Sequence, residues 1–323
     1  MGSGIDPMVK IAFLFPGQGS QYVGMGKDFF SALPDARSLY EQAGEILGMD
    51  IASLCFDGPE ETLRLTENAQ PAILIHSTIA LKTMRDHGID SVLSAGHSLG
   101  EYSALVAAGA LGFADAVRLV RKRGQFMQQA VPVGIGAMAA IIGLPSEKVQ
   151  ELCSRFSSQE SLVQPANMNS PGQTVIAGHK EAVQRVSGEA KSAGAKKAVL
   201  LPVSAPFHCS LMKPAEIKLQ QELAKTDFQN LAFPVITNCE AGLISGGEEA
   251  RDALRRQVCS PVQWVQTMKV LVERGVRTII ELGPGKVLSG LMRRYDKTVD
   301  CYHVEDRKTL ETTLSALRSG GEK

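Results

Sequence analysis

The chain has 323 residues, enough for a full core and by length alone about two domains. Lys plus Arg and Asp plus Glu both number 34, so the net charge is zero, which argues against a broadly basic nucleic-acid-binding protein. Hydrophobic residues make up 44% and charged residues 21%, ordinary for a soluble globular protein, and no run reaches the roughly 18 apolar residues of a membrane span.

Six cysteines are scattered along the chain without C-x-x-C spacing, so neither a zinc site nor a redox pair is indicated. With no visible secretory signal, this composition is expected of a reducing cytoplasm. Met1–Pro7 reads as a leader added ahead of a native start at Met8 and is left out of the fold reasoning.

The first predicted strand is the mostly apolar Val9-Lys10-Ile11-Ala12-Phe13-Leu14-Phe15, which runs into Pro16-Gly17-Gln18-Gly19-Ser20-Gln21. Helical patterns follow at 36–47 and 70–87. A second strand, Ser91-Val92-Leu93-Ser94-Ala95, leads into Gly96-His97-Ser98-Leu99-Gly100 and a helix, and another helix spans 113–130. Strands alternating with helices predict an α/β fold with a mostly parallel sheet.

The middle of the chain has a different rhythm. Strand 136–142, a helix opening at Pro145, strands at 162–169 and 173–177, a helix at 179–193 and a strand at 198–203 give the order β-α-β-β-α-β. That is the ferredoxin-like arrangement. After it come a strand at 233–238, a helix at 261–274, a strand at 276–282 and a closing helix; the last residues, from Ser319 on, read as a frayed tail. The expected organisation is a hydrolase-like α/β body with helices on both faces, residues 8–133 and 205–315, carrying an inserted ferredoxin-like βαββαβ subdomain at 134–204.

Gly96-His97-Ser98-Leu99-Gly100 reads G-x-S-x-G between a strand and a helix, the setting of a nucleophile elbow. A serine hydroxyl is a poor nucleophile near neutral pH and needs a base. Of the six histidines, His76 and His87 share a helical pattern, His179 stands at a helix start, and His303 lies in a late polar stretch. His97 adjoins the serine and points the wrong way to act as base, although it can line the pocket. His208 follows a strand in Ser204-Ala205-Pro206-Phe207-His208-Cys209, and loops beyond strand carboxyl ends gather α/β active sites. No Asp stands at an obvious place to orient it, so an acid further on or a backbone carbonyl could hold the ring N–H.

On a helix at 113–130, Arg123 is the one charge inside a broad apolar arc. A buried guanidinium without a partner is penalised by several kcal/mol. It pairs either with a protein acid or with an anionic ligand such as a substrate carboxylate, which arginine's planar fork suits. The Gln18 loop lacks the G-K-[ST] ending of a nucleotide-binding loop. Its backbone N–H groups and that of Leu99, after the serine, are candidate oxyanion donors.

Together these residues closely resemble the malonyl-CoA:acyl carrier protein transacylase family. The likeness runs from about Val9 to Leu291, through the Gln18 loop, Gln70-Pro71-Ala72, the elbow with Glu101-Tyr102, Arg123-Gly124, Asn167-Met168-Asn169, Phe207-His208, Pro261-Val262-Gln263-Trp264 and Gly283-Pro284-Gly285-Lys286. The resemblance implies Ser98 as the acyl-carrying nucleophile, His208 as its base, and the main-chain carbonyl of Gln263 as the group orienting that base. It implies Gln18 and Leu99 as oxyanion donors, Arg123 as partner of the malonyl carboxylate, and His97, Phe207, Gln70 and Asn167 around the pocket. The implied reaction is ping-pong transfer of malonyl from malonyl-CoA to the phosphopantetheine thiol of acyl carrier protein in fatty acid biosynthesis. Malonyl-CoA is a substrate, and no cofactor, metal, nucleic acid or membrane is expected. A serine hydrolase or thioesterase using the same Ser98–His208 pair, or a carrier-protein binding module without catalysis, are the competing readings.

Overall fold

The computed structural model describes residues 10–203 and 205–320. Met1–Pro7, read from the sequence as a leader, lies outside the described residues, as do the final three, 321–323.

Ten strands form two sheets among these residues. In chain order they are β1 (Ile11–Phe15), β2 (Leu93–Gly96), β3 (Gly136–Ile142), β4 (Val163–Ser170), β5 (Gln173–His179), β6 (Lys197–Leu200), β7 (Val235–Ile236), β8 (Leu243–Ile244), β9 (Thr278–Leu282) and β10 (Asp300–Val304). The larger sheet has the order β10-β9-β1-β2-β7-β8. Its strands are parallel except for the short antiparallel β7–β8 pair.

The continuous apolar run of β1 follows from its central place. Side chains alternate across a strand. Ile11, Phe13 and Phe15 enter one buried cluster, with Ile73, Leu74 and Val117 from the helices Thr66–Asp86 and Phe113–Gln129. Ala12 and Leu14 enter another, with Trp264, Met268 and Leu291 from the helices Trp264–Glu273 and Val287–Tyr295. A strand covered on both faces needs apolar residues at every position.

The smaller sheet is wholly antiparallel, in the order β4-β5-β3-β6. Counted within this unit the strand order is 2-3-1-4, which is the ferredoxin-like topology predicted from the element sequence. The helices Ser146–Phe156 and Lys180–Ser192 bury Val149, Leu152, Val183 and Val186 against Ala139, Ile141 and Ile176 on one face. Met138, Ala166 and Val175, from the sheet's other face, join the core of the main body. The two units are also joined through backbone: Val262 N–H donates to Ala166 O at 2.8 Å and Met168 N–H to Val262 O at 2.9 Å.

Several boundaries differ from expectation. The helix predicted at 70–87 is Thr66–Asp86, and that predicted at 261–274 starts at Trp264. β6 ends at Leu200, and 201–203 turn away to line a cavity that Ser98 and His208 also line. His179 both ends β5 and caps the helix Lys180–Ser192, so the predicted helix start holds to within one residue. The late polar stretch around His303 is β10, an edge strand whose partly exposed residues explain its polar reading. Ser319 and Gly320 belong to the helix Arg307–Gly320, not to a frayed tail.

Candidate active site

β2 runs into the helix Gly100–Ala107 through a turn in which Ser98 has φ 52°. This left-handed conformation is strained for a residue with a Cβ. The flanking glycines are sterically required. A Cβ on Gly96 would lie 1.9 Å from Gly100 C, and one on Gly100 would lie 2.0 Å from Phe15 O. A Cβ on Gly17 would lie 2.4 Å from His97 O, so glycine also lets the Gln18 loop press against the turn. Asn238, just past the carboxyl end of β7, clamps the same turn. Its Oδ1 accepts from Ser98 N–H at 2.6 Å and its Nδ2 donates to Gly96 O at 2.7 Å.

His208 also has a positive φ, 61°, and its ring meets the serine: Ser98 Oγ lies 2.7 Å from His208 Nε2. His208 Nδ1 lies 3.0 Å from the carbonyl of Gln257. A carbonyl only accepts, so Nδ1 carries the hydrogen and Nε2 is left to accept the serine proton. Burial, reinforced by the nearby Arg123 charge, pushes His208 down to about 3, so the ring is neutral at physiological pH.

The group facing His208 corrects the expectation placed on Gln263. Gln263 caps the helix Trp264–Glu273, and its carbonyl already accepts from Thr267 N–H at 2.9 Å and Thr267 Oγ1 at 3.1 Å. Gln257 ends the helix Gly247–Gln257. Carbonyls in a last turn lack intrahelical partners and carry the negative end of the helix dipole. Such an oxygen is free for an imidazole N–H and stabilises charge developing on the ring.

Arg123 is 2% exposed and faces the serine, with Nη2 3.1 Å from Ser98 Oγ. Its other contacts are two amide oxygens, Gln70 Oε1 at 2.7 Å from Nη1 and Gln257 Oε1 at 2.8 Å from Nη2. The Tyr102 ring lies 5.6 Å from the guanidinium carbon, and Nε has no partner among the described residues. Among the described residues no carboxylate lies within ion-pair distance of this buried cation. Of the two alternatives read from the helix pattern, an internal salt bridge is therefore not formed.

These groups open onto a cavity of about 410 Å³ between the two sheets, lined among others by Gln18, Gln70, His97, Ser98, Arg123, Asn167, Phe207 and His208. His97 points away from the serine, with Nε2 2.8 Å from Asn169 Oδ1 and its ring 5.3 Å from that of Trp264. Burial lowers its pKa. The Gln18 side chain donates to Thr66 Oγ1 at 3.2 Å. Among the described residues, neither the Gln18 nor the Leu99 backbone N–H has a protein acceptor. Of the remaining histidines, His76 is buried against the Glu305 carbonyl at 2.8 Å, and His87 Nδ1 lies 2.8 Å from the Thr83 carbonyl.

Sequence reasoning missed Asn238, Gln257 and Glu101. Glu101 is fully buried, and its Oε2 accepts from Asn238 N–H at 3.0 Å and from Gln257 Nε2 at 2.7 Å. Burial raises it to about 7. The position of Asn238 beyond a strand end was the available signal for that residue.

The arrangement can pass a serine proton to a neutral imidazole and hold an anionic acyl group beside the resulting alkoxide. Comparison with known proteins gives the family. Residues 12–310 match the model of the acyl transferase domain family. The malonyl CoA-acyl carrier protein transacylase of Bacillus subtilis is 47% identical over 311 residues, 96% of this chain and 98% of that protein. The protein of the same name from Escherichia coli K12 is 46% identical over 308 residues, 95% and 99% of the two chains. The acyl carrier protein S-malonyltransferase structure from Vibrio cholerae superposes with a TM-score of 0.91 at 46% identity, covering 94% of this chain and 99% of that one. A malonyl-transacylase solved in complex with a type II PKS acyl-carrier protein superposes with a TM-score of 0.92 at 45% identity, covering 95% and 99%. By the extent of these matches, the chain belongs to the acyl transferase domain family.

Proposed function

We propose that this chain transfers the malonyl group of malonyl-CoA to the phosphopantetheine thiol of acyl carrier protein, in fatty acid biosynthesis in the cytoplasm. The observation that carries the reading is Arg123, a buried cation with no carboxylate partner among the described residues, beside a serine hydrogen-bonded to a neutral histidine. The malonyl group brings the missing carboxylate, and the names and coverage of the relatives support the same substrate and acceptor.

In this reading His208 Nε2 takes the Ser98 proton as Oγ attacks the thioester carbonyl. The oxyanion is held by the N–H groups of Gln18 and Leu99; removal of one such donor lowers rates by about 10²–10³. The tetrahedral intermediate collapses, the C–S bond breaks, and CoA leaves with the proton from His208. The carrier thiol then gives its proton to His208 and attacks the Ser98 ester, regenerating the serine. Gln257 O holds the imidazole throughout, while His97, Gln70, Asn167 and Phe207 shape the acyl site. No cofactor enters any step. The hydrolase-like body, 8–133 and 205–315, carries Ser98, His208 and Arg123, and the 134–204 subdomain closes the cavity from the other side.

Intact mass after mixing with malonyl-CoA tests the acyl-enzyme. A malonyl adduct that is absent in Ser98→Ala and is discharged onto added holo-carrier protein supports the reading. Release of free malonate at the same rate with and without carrier would make the chain a hydrolase, and no adduct would leave only a binding module.

A further inference from the structure

The buried carboxylate of Glu101 takes no part in the steps above, yet it touches two residues that hold the reacting groups. It follows the elbow directly, in the first turn of the helix Gly100–Ala107, where the helix dipole favours negative charge. Only one of its oxygens is engaged. Oε2 accepts from Asn238 N–H and Gln257 Nε2, while the buried Oε1 has no partner among the described residues.

Gln257 is the pivot. Its main-chain oxygen faces His208 Nδ1, its Oε1 accepts from Arg123 Nη2, and its Nε2 donates to Glu101 Oε2 and to Ser98 O at 2.8 Å. An amide can be flipped end for end, but here the flip is forbidden by polarity. Flipping would set the amide oxygen against Glu101 Oε2 and Ser98 O, and the amide N–H groups against the guanidinium. Asn238, whose N–H Glu101 also accepts, is the residue that clamps Ser98.

We propose that Glu101 is a positioning residue for acyl transfer, fixing the Gln257 amide so that one side chain directs Arg123 while its main chain directs His208. Glu101 thus stands one amide away from the cation, near enough to orient its surroundings and too far to take the place of a substrate carboxylate. The proposal rests on the reading of Arg123 as the malonyl carboxylate's partner.

The test compares kcat/KM for malonyl and acetyl transfer, per folded active site, in Glu101→Leu, Glu101→Gln and Arg123→Ala. Acetyl has no carboxylate, so its loss reports disturbance of the serine and base, and any additional malonyl loss reports Arg123. Glu101→Leu is expected to lower acetyl transfer and to reduce malonyl-over-acetyl selectivity by at least about tenfold, the lower end for a charged hydrogen bond. Glu101→Gln, whose amide oxygen can occupy the Oε2 position and accept both bonds, is expected to restore most of that selectivity. A purely structural role would lower the folded fraction and leave the selectivity of the remainder unchanged. Unchanged selectivity in Glu101→Leu, or equal failure of the Gln variant, overturns the proposal. If Glu101→Leu does not fold, Glu101→Asp withdraws the oxygen by one methylene, and unchanged selectivity there overturns it equally. Arg123→Ala separates the two ideas. Selectivity lost there but kept in the Glu101 variants refutes only the positioning role, whereas selectivity kept in Arg123→Ala refutes the carboxylate site itself.

Discussion

Replacing Arg123 by alanine tests the carboxylate site most directly. The guanidinium is 2% exposed, and its polar contacts are to Gln70 Oε1, Gln257 Oε1 and Ser98 Oγ, all neutral oxygens. A malonyl carboxylate arriving there gains a charged hydrogen bond in a water-poor site, worth about 1.5–3 kcal/mol, or roughly 10- to 150-fold in rate. An acetyl group gains none of it. The substitution also removes the contact to Ser98 Oγ and one of the causes holding His208 neutral, but both substrates feel those losses alike. The ratio of malonyl to acetyl kcat/KM therefore isolates the carboxylate contribution and is expected to fall roughly 10- to 150-fold. Quenched-flow measurement of acyl-enzyme formation, with intact mass as the readout, gives both rates. Equal fold-losses on the two substrates would refute the reasoning.

Further outcomes follow from the same geometry. Because His208 is pushed down to about 3, the base is already neutral well below a free histidine's 6.5. Glu101 also titrates in the neutral range, but its unpartnered Oε1 can take the proton while Oε2 keeps accepting. The pH profile of malonylation kcat/KM is thus expected to lack an acid limb near a free histidine's pKa of about 6.5, and such a limb would contradict the site. Glu101, raised from 4.5 to about 7, contributes stability that is fully present below pH 4.5 and lost as pH rises through about 7. The melting temperature of Glu101→Gln relative to the unsubstituted protein is therefore expected to rise from pH 5 to pH 8, and a pH-independent gap would count against it. Gly100→Ala places a Cβ 2.0 Å from Phe15 O and is expected to destabilise by about 3 kcal/mol or more, measured by denaturant unfolding; a loss below about 1 kcal/mol would show that the elbow can relax.

What the sequence disclosed was what local pattern encodes. The elbow is a contiguous pentapeptide whose glycines are needed for close approach within the turn and to β1, the alternation of strands with helices marks the parallel sheet, and the β-α-β-β-α-β order marks the antiparallel one. Arg123 stood out because a single charge in an apolar arc has to be explained wherever the helix packs. The Gln257 carbonyl was not legible, because a main-chain oxygen has no side-chain signature and its availability depends on where a helix stops. The resemblance points to Gln263, the right kind of group but six residues too far on, inside a cap where its oxygen is already taken. β8 is two residues long and carries no periodicity, and β10 reads as polar because it lies on an edge. Glu101 was visible as a residue but not as a buried one, since burial of a carboxylate follows from donors that arrive from 137 and 156 residues away.

Ser98 and His208 share a backbone feature found among the described non-glycine residues only at Ala241 besides themselves: a positive φ. Each such conformation stores about 1–3 kcal/mol that glycine would not. The side chains of the proposed nucleophile and base thus sit where the backbone least tolerates a side chain. Selection for robustness and selection for activity pull in opposite directions at both positions. A library of variants screened only for expression, solubility or melting temperature will drift toward glycine at these sites and enrich inactive protein. Any campaign to harden this scaffold must hold positions 98 and 208 fixed and seek its gains elsewhere.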